Sequence, residues 1–177
     1  MKMILAVAVC SVVCVANAAG QQSSSEQKGD KQGSQAMCPM HDAHAQMNER
    51  GEKGMGFSQT GNTHHFLLKP DGGVIQVQAN DPKGTAARDS IRAHLTHISH
   101  SFAQGDFDIP MFAHDTVPPG VPDMKRLKDK IAYTFQEAPA GGRVVITTSD
   151  PDALAAIHKF LRFQITEHQT GDPTELH

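Results

Sequence analysis

Cys38, Met40, His41 and His44 bring a thiol, a thioether and two imidazoles close together in the chain, and Met37, Met47 and Met55 bracket them. Thiolate and thioether sulfur are the ligands that Cu(I) prefers, and imidazole also serves Cu(II) and zinc. Histidine is over-used elsewhere as well: the chain has 11, against one tyrosine and no tryptophan. Three lie in His94-Leu95-Thr96-His97-Ile98-Ser99-His100. At about 100° per residue on a helix, His94 stands at the edge of the apolar stripe Ile91, Leu95, Ile98, Phe102, and His97 about 60° further round. His94 and His97 are then neighbours able to share a ligand, while His100 points away from the core. The segment 107–127 carries Met111 and His114, further soft donors for that face, with Asp115 to orient an imidazole from behind. His64 and His65 are adjacent on a strand, so only one of them joins a given site. His158 and His168 fall on the last helix, and His168, on its core stripe, reads as a packed histidine rather than a ligand.

Cys38-Pro39-Met40-His41 resembles the core of the heavy-metal-binding motif of copper and silver efflux proteins. The resemblance spans these four residues, with Ala36-Met37 where the motif usually has an aromatic and Asp42 where it usually has a proline. It implies metal contact by Cys38, Met40 and His41, and a copper efflux or delivery partner.

The elements that position these groups begin after an export signal. Lys2 supplies a positive start, Ile4 to Val15 is nearly all apolar, and Ala16-Asn17-Ala18 has the small-x-small pattern of a cleavage site, so residues 1–18 read as a signal peptide. The apolar run is shorter than the roughly 20 residues a spanning helix needs, and no later segment reads as a membrane span. Cys10 and Cys14 leave with the signal, so Cys38 remains without an intramolecular disulfide partner in an oxidising compartment, periplasmic or secreted. With 16 basic and 19 acidic residues and no Lys/Arg stripe, nothing electrostatic points to nucleic acid. Residues 19–56 are polar and poor in branched apolar side chains, the composition of a disordered arm.

From Phe57 to the C-terminus the patterning predicts one α+β domain. Residues 65–69 and 74–78 flank Pro70-Asp71-Gly72-Gly73, a hairpin signature, and the His-rich helix follows, ending near Gly105. A connection without clear periodicity covers 107–127. Residues 131–135 and 143–147 then flank a second turn, and Asp150-Pro151 caps a helix bearing Leu154, Ile157, Leu161 and Ile165. Gly72-Gly73 aligns with Gly141-Gly142, and beyond a three-residue gap Ile91 aligns with Ile157, Leu95 with Leu161, and Gly105-Asp106 with Gly171-Asp172. The expected architecture is a duplicated strand-strand-helix unit, about 63–106 and 129–172, forming an antiparallel sheet with two helices on one face. In the second copy Phe160 and Phe163 replace His94 and His97.

Zinc-protease, covalent-haem, phosphate-loop and serine-hydrolase motifs are missing. A blue-copper centre needs a cysteine among its ligands, and Cys38 precedes the domain. Three readings follow. The first is a copper-binding protein with a Cys/Met/His arm and a His-based domain site. The second is a non-covalent haem protein with His94 or His97 as axial ligand and Phe160 and Phe163 lining the pocket. The third is a metal-free interaction domain. Zinc is an alternative ion, and a second copy of the chain an alternative partner.

Overall fold

The computed structural model describes residues 39–176, with side chains from His44 onward. The expected signal peptide and Cys38 lie outside the described residues. The chain forms α1 (Pro39–Met55), β1 (Asn62–Lys69), β2 (Gly72–Ala79), α2 (Thr85–Ala103), α3 (Asp108–His114), α4 (Val121–Arg126), a short 3-10 turn, β3 (Ile131–Ala138), β4 (Gly141–Thr148) and α5 (Pro151–Glu167). The α+β class is as the patterning predicts. Two antiparallel hairpins join through their second strands into one sheet of order β1-β2-β4-β3. The central register pairs Gly72 with Thr147 and Gln78 with Gly141, so exchanging the two hairpins reproduces the same pairing.

Strand alternation decides which side chains meet the helices. Phe66, Ile75, Val77, Val144 and Ile146 form one face and pack against Ile91, Leu95 and Phe102 of α2 and Ile157, Phe160 and Leu161 of α5 in a single apolar core. Each helix lies over the other half's hairpin, α2 on β3 and β4, α5 mainly on β1 and β2. Two side chains fix that crossing. Arg92 on α2 donates to Ala138 O at 2.9 Å and Gly141 O at 3.1 Å, holding the β3–β4 turn. His158 on α5 places Nε2 3.0 Å from both Lys69 O and Gly72 O, holding the β1–β2 turn. Arg92 directly follows Ile91 and His158 directly follows Ile157, so equivalent positions do equivalent work. The N-terminus of α5 is capped as expected, with Asp150 Oδ1 accepting from Asp152 N and Ala153 N at 3.0 Å.

Two expectations are corrected. Residues 39–55, assigned to a disordered arm, form α1, whose Met47 is 4 % exposed. Arg50 Nε donates to Ala113 O at 3.0 Å, tying α1 to the end of α3. These are tertiary contacts, invisible to a composition argument. The connection 107–127, expected without periodic structure, contains α3 and α4. Pro110 and Pro122 sit in first turns, where proline costs no helical hydrogen bond, so they start helices rather than prevent them. Gly120, at φ 91°, brings the start of α4 so close to α5 that a Cβ there would meet the backbone at Ala156 O and Phe160 N.

Candidate metal centre

Five imidazoles gather at the end of the domain where α1, β1, α2, α3 and α5 meet. Strand alternation turns His64 to the core side with Phe66, and turns His65 to the opposite side. His64 stacks on His168, the C-cap residue of α5, with ring centroids 5.8 Å apart and planes 10° apart. His114, the last residue of α3, meets the same ring edge to face at 5.1 Å and 84°. His44 of α1 shares one pocket with His64 and His168 and a second with His114. His94 lies across Phe57, which stacks on His64 at 6.4 Å and takes the edge of His94 at 5.4 Å.

The electrostatics follow from burial. Burial pulls the His64 imidazole down to about 4, helped by His65. His94 falls to about 4 by burial first, then by repulsion from His64 and His97. His168 falls to about 3 through burial and then through His64, His114 and His44. His114 is lowered by burial, against the opposing pull of its Gln164 hydrogen bond and of Glu167. All four are neutral at pH 7, so each ring keeps a lone pair. The His114 side chain is 1 % exposed. Its Nε2 lies 3.1 Å from Gln164 Oε1, and with the amide in this orientation Nε2 donates and Nδ1, 4.0 Å from Glu167 Oε2, keeps the lone pair. His114 Nδ1, His64 Nε2 and His44 Nε2 are buried and have no hydrogen-bond partner among the described residues. Such atoms are costly to leave unpaired.

The two halves of the sheet give these histidines a reference. Tyr133 holds in β3 the place of His64 in β1, and Phe102 holds in α2 the place of His168 in α5. Tyr133 and Phe102 make an ordinary aromatic contact with centroids 5.8 Å apart, the separation of His64 and His168. One end of the domain is closed by a phenol and a phenyl ring, the Tyr133 hydroxyl being itself buried without a partner, and the other by imidazoles.

Two imidazoles bound to one ion at roughly 2.0–2.1 Å have ring centroids roughly 4.5–6.4 Å apart, a range that includes both observed spacings. The near-parallel planes of His64 and His168 require one ring to turn, and the second side-chain torsion of histidine is soft. Among the described residues, no group of three or more His, Cys, Asp or Glu side chains is placed to hold a metal ion.

The residues expected from sequence divide clearly. His64, His94, His114 and His44 are at this junction. His97 is exposed, its Nε2 3.5 Å from Ser101 Oγ, so the expected His94/His97 pair is split by the helix surface. His65 instead faces Asp172, Nδ1 to Oδ1 at 2.9 Å. Met111 packs on the core with its sulfur 3.9 Å from Lys125 Nζ, and it lines none of the histidine pockets. Met40 and His41 belong to the first turn of α1. Phe160 is core and reaches the junction pocket, while Phe163 packs on His114 at 4.9 Å. His168 is packed against His64, Phe66 and His114, as its core-stripe position predicts, and Gln164, on the same helix, is an unanticipated partner of His114. No helix among the described residues is long and apolar enough to cross a membrane. Comparison with family models, with curated proteins and with solved structures returns no match.

Proposed function

We propose that this is an exported copper-binding protein, acting in the periplasm or outside the cell in capture, delivery or resistance, and a binding protein rather than a catalyst. One observation supports the reading: buried imidazoles with unpartnered nitrogens gather where the other half of the sheet has an aromatic pair, Tyr133 and Phe102, whose one buried polar atom is the Tyr133 hydroxyl. Burying such nitrogens is unfavourable unless a metal ion or a water pairs with them, and a metal ion is the partner proposed here. Imidazole accepts copper and zinc alike, and the soft donors Cys38 and Met40 just before and within α1 favour copper. The signal-like N-terminus puts the lone thiol in an oxidising compartment, where a metal role accounts for keeping it. Haem held by His94 against Phe160 fits less well, since the free space between His64, His94 and Phe160 is about 70 Å³, far below the roughly 300–1,000 Å³ of a typical cofactor pocket.

Metal analysis and an absorbance spectrum of the protein recovered from the exported fraction of its native host test the reading. Stoichiometric copper and an intact mass matching cleavage after Ala18 are expected. A Soret band would move the assignment to haem, stoichiometric zinc would change the ion, and absence of any ion would leave the interaction-domain reading.

A further inference from the structure

We infer that β3 is a dimerisation edge: two copies of the chain pair antiparallel, β3 to β3, about a twofold axis at Thr134. The sheet then runs on from β1-β2-β4-β3 into β3-β4-β2-β1 of the second copy, with α2 and α5 of both copies on the same face. The pairing uses no ion and is independent of copper binding.

The neighbouring ladder fixes which backbone groups face outward. Thr148 N donates to Asp71 O at 2.9 Å, so Thr148 bonds toward β2, as do Val144 and Ile146, which alternate with it along β4. Phe135 and Tyr133 stand opposite Val144 and Ile146 and therefore turn their N–H and C=O groups to the outer edge. The two halves of the sheet treat that edge differently. On β1, Phe66 holds the place of Phe135, and Phe66 N donates to Asp172 Oδ2 at 2.9 Å, so the C-terminal segment covers the edge. Asp106 holds after α2 the place of Asp172 after α5, but its Oδ1 accepts from Asp108 N at 2.9 Å and begins α3. The carboxylate that closes one edge thus starts a helix beside the other. Among the described residues no acceptor meets Phe135 N or Tyr133 N. Nor is the strand shielded in the usual ways: β3 contains no proline or lysine, and it pairs with β4 over all 8 residues without a bulge.

A second β3 complements this edge. Its outer face presents Ala132, Thr134 and Gln136, exposed and uncharged. A twofold axis at Thr134 sets threonine against threonine and Ala132 against Gln136. On the helix side it sets Tyr133 against Phe135 of the partner subunit, an aromatic cross-strand pair in hydrogen-bonded positions. Glu137, the one carboxylate of the strand, is held by Arg92 at 3.0 Å and falls opposite Ile131, so no like charges meet. One strand pairing buries less than the roughly 1,200–2,000 Å² of a stable interface, so association is weak and follows concentration.

Sedimentation of the full exported chain tests the edge, with Cys38→Ser to exclude disulfide-linked dimers and a metal chelator present throughout. The average mass should climb from monomer towards dimer as concentration rises. Thr134→Lys and Thr134→Glu each set two like charges directly opposite one another on an exposed face that the fold tolerates. Each should weaken association about tenfold or more. An equimolar mixture of the two should restore it, because lysine then faces glutamate, and a misfolded variant could not produce that rescue. Lys69→Glu, exposed on β1, should change nothing. A parent that stays monomeric at every concentration overturns the proposal, as does association that neither charge weakens. Weakening that mixing fails to rescue overturns the pairing at Thr134, and a dimer that forms only when copper replaces the chelator overturns an ion-free edge.

Discussion

His64 and His168 face each other at the same centroid separation, 5.8 Å, as Tyr133 and Phe102, the residues in the equivalent places of the other half. The backbone therefore accepts either an aromatic or an imidazole pair there. Choosing histidine trades favourable apolar burial for two rings whose charged forms the site disfavours.

A stability measurement exposes that trade. In metal-free protein, His64→Phe with His168→Phe should raise the urea midpoint, by about 1–2 kcal/mol of stability, because a buried unpaired nitrogen is removed and apolar area is gained. A loss of more than that amount would mean that the histidines are themselves structural.

Acid should destabilise the metal-free domain through the same residues. Unfolded histidine titrates near 6.5, whereas His64 and His94 are held near 4 and His168 near 3. Above about pH 6.5 both states are neutral and the difference vanishes; between there and the folded values the unfolded chain binds more protons. Stability should therefore fall with pH by up to about 1.4 kcal/mol per unit for each group, and level off below the folded values. His44, His65, His97, His114, Arg50 and Glu167 surround these rings, and only Glu167 opposes the trend by attracting protons. Denaturation curves from pH 7 to 4.5 measure the slope, which the Phe double variant should reduce by well over a third; an unaltered slope would place the responsible groups elsewhere.

Asp172 anchors the C-terminal segment to the edge strand. It accepts from Phe66 N at 2.9 Å and Thr170 Oγ1 at 2.7 Å and faces His65 Nδ1 at 2.9 Å. Burial pushes its carboxyl pKa up, but these three partners together leave it below the ordinary value. Its contribution is therefore present above the unfolded pKa of about 3.9 and lost as pH falls through the lower folded value. Asp172→Ala leaves Phe66 N–H without its acceptor on an exposed edge and should cost about 1–3 kcal/mol at pH 7, read as a lower urea midpoint. No change would show that water replaces the carboxylate.

Met47→Ala tests whether α1 is docked as described. Its side chain is buried at 4 % exposure, so truncation should release the helix and raise tryptic cleavage after Arg50 and Lys53 by about tenfold or more. Cleavage at the parental rate would show that Met47 does not hold α1.

Much of the frame was legible because it depends on local chemistry. Alternating apolar residues around Gly72-Gly73 and Gly141-Gly142 specify the hairpins, and Asp150-Pro151 specifies where α5 begins. Helix α1 was not, since its polar composition argues for disorder and the contacts that order it, Met47 with the body and Arg50 with Ala113, span long stretches of chain. The helices within 107–127 were hidden by prolines whose first-turn placement only the fold reveals. The site was half legible. Abundant histidine suggests a ligand chemistry, and His64, His94 and His114, all singled out from the sequence, lie together at one junction. His168 is packed as its stripe position predicts, but its neighbours His64 and His114 come from β1 and α3 and could not be read from one helix. His97 was favoured by its spacing from His94, but about 60° of helix rotation carries it to the surface.

The most direct test of a domain copper site built on the interior histidines is a competition titration that compares two double variants of the Cys38→Ser chain at neutral pH. His64→Phe with His168→Phe should weaken copper binding by about a hundredfold or more, whereas His94→Ala with His97→Ala should leave it within about tenfold of the parent. The opposite order, with binding kept in the first variant and lost in the second, would contradict the account and return the site to the surface of α2.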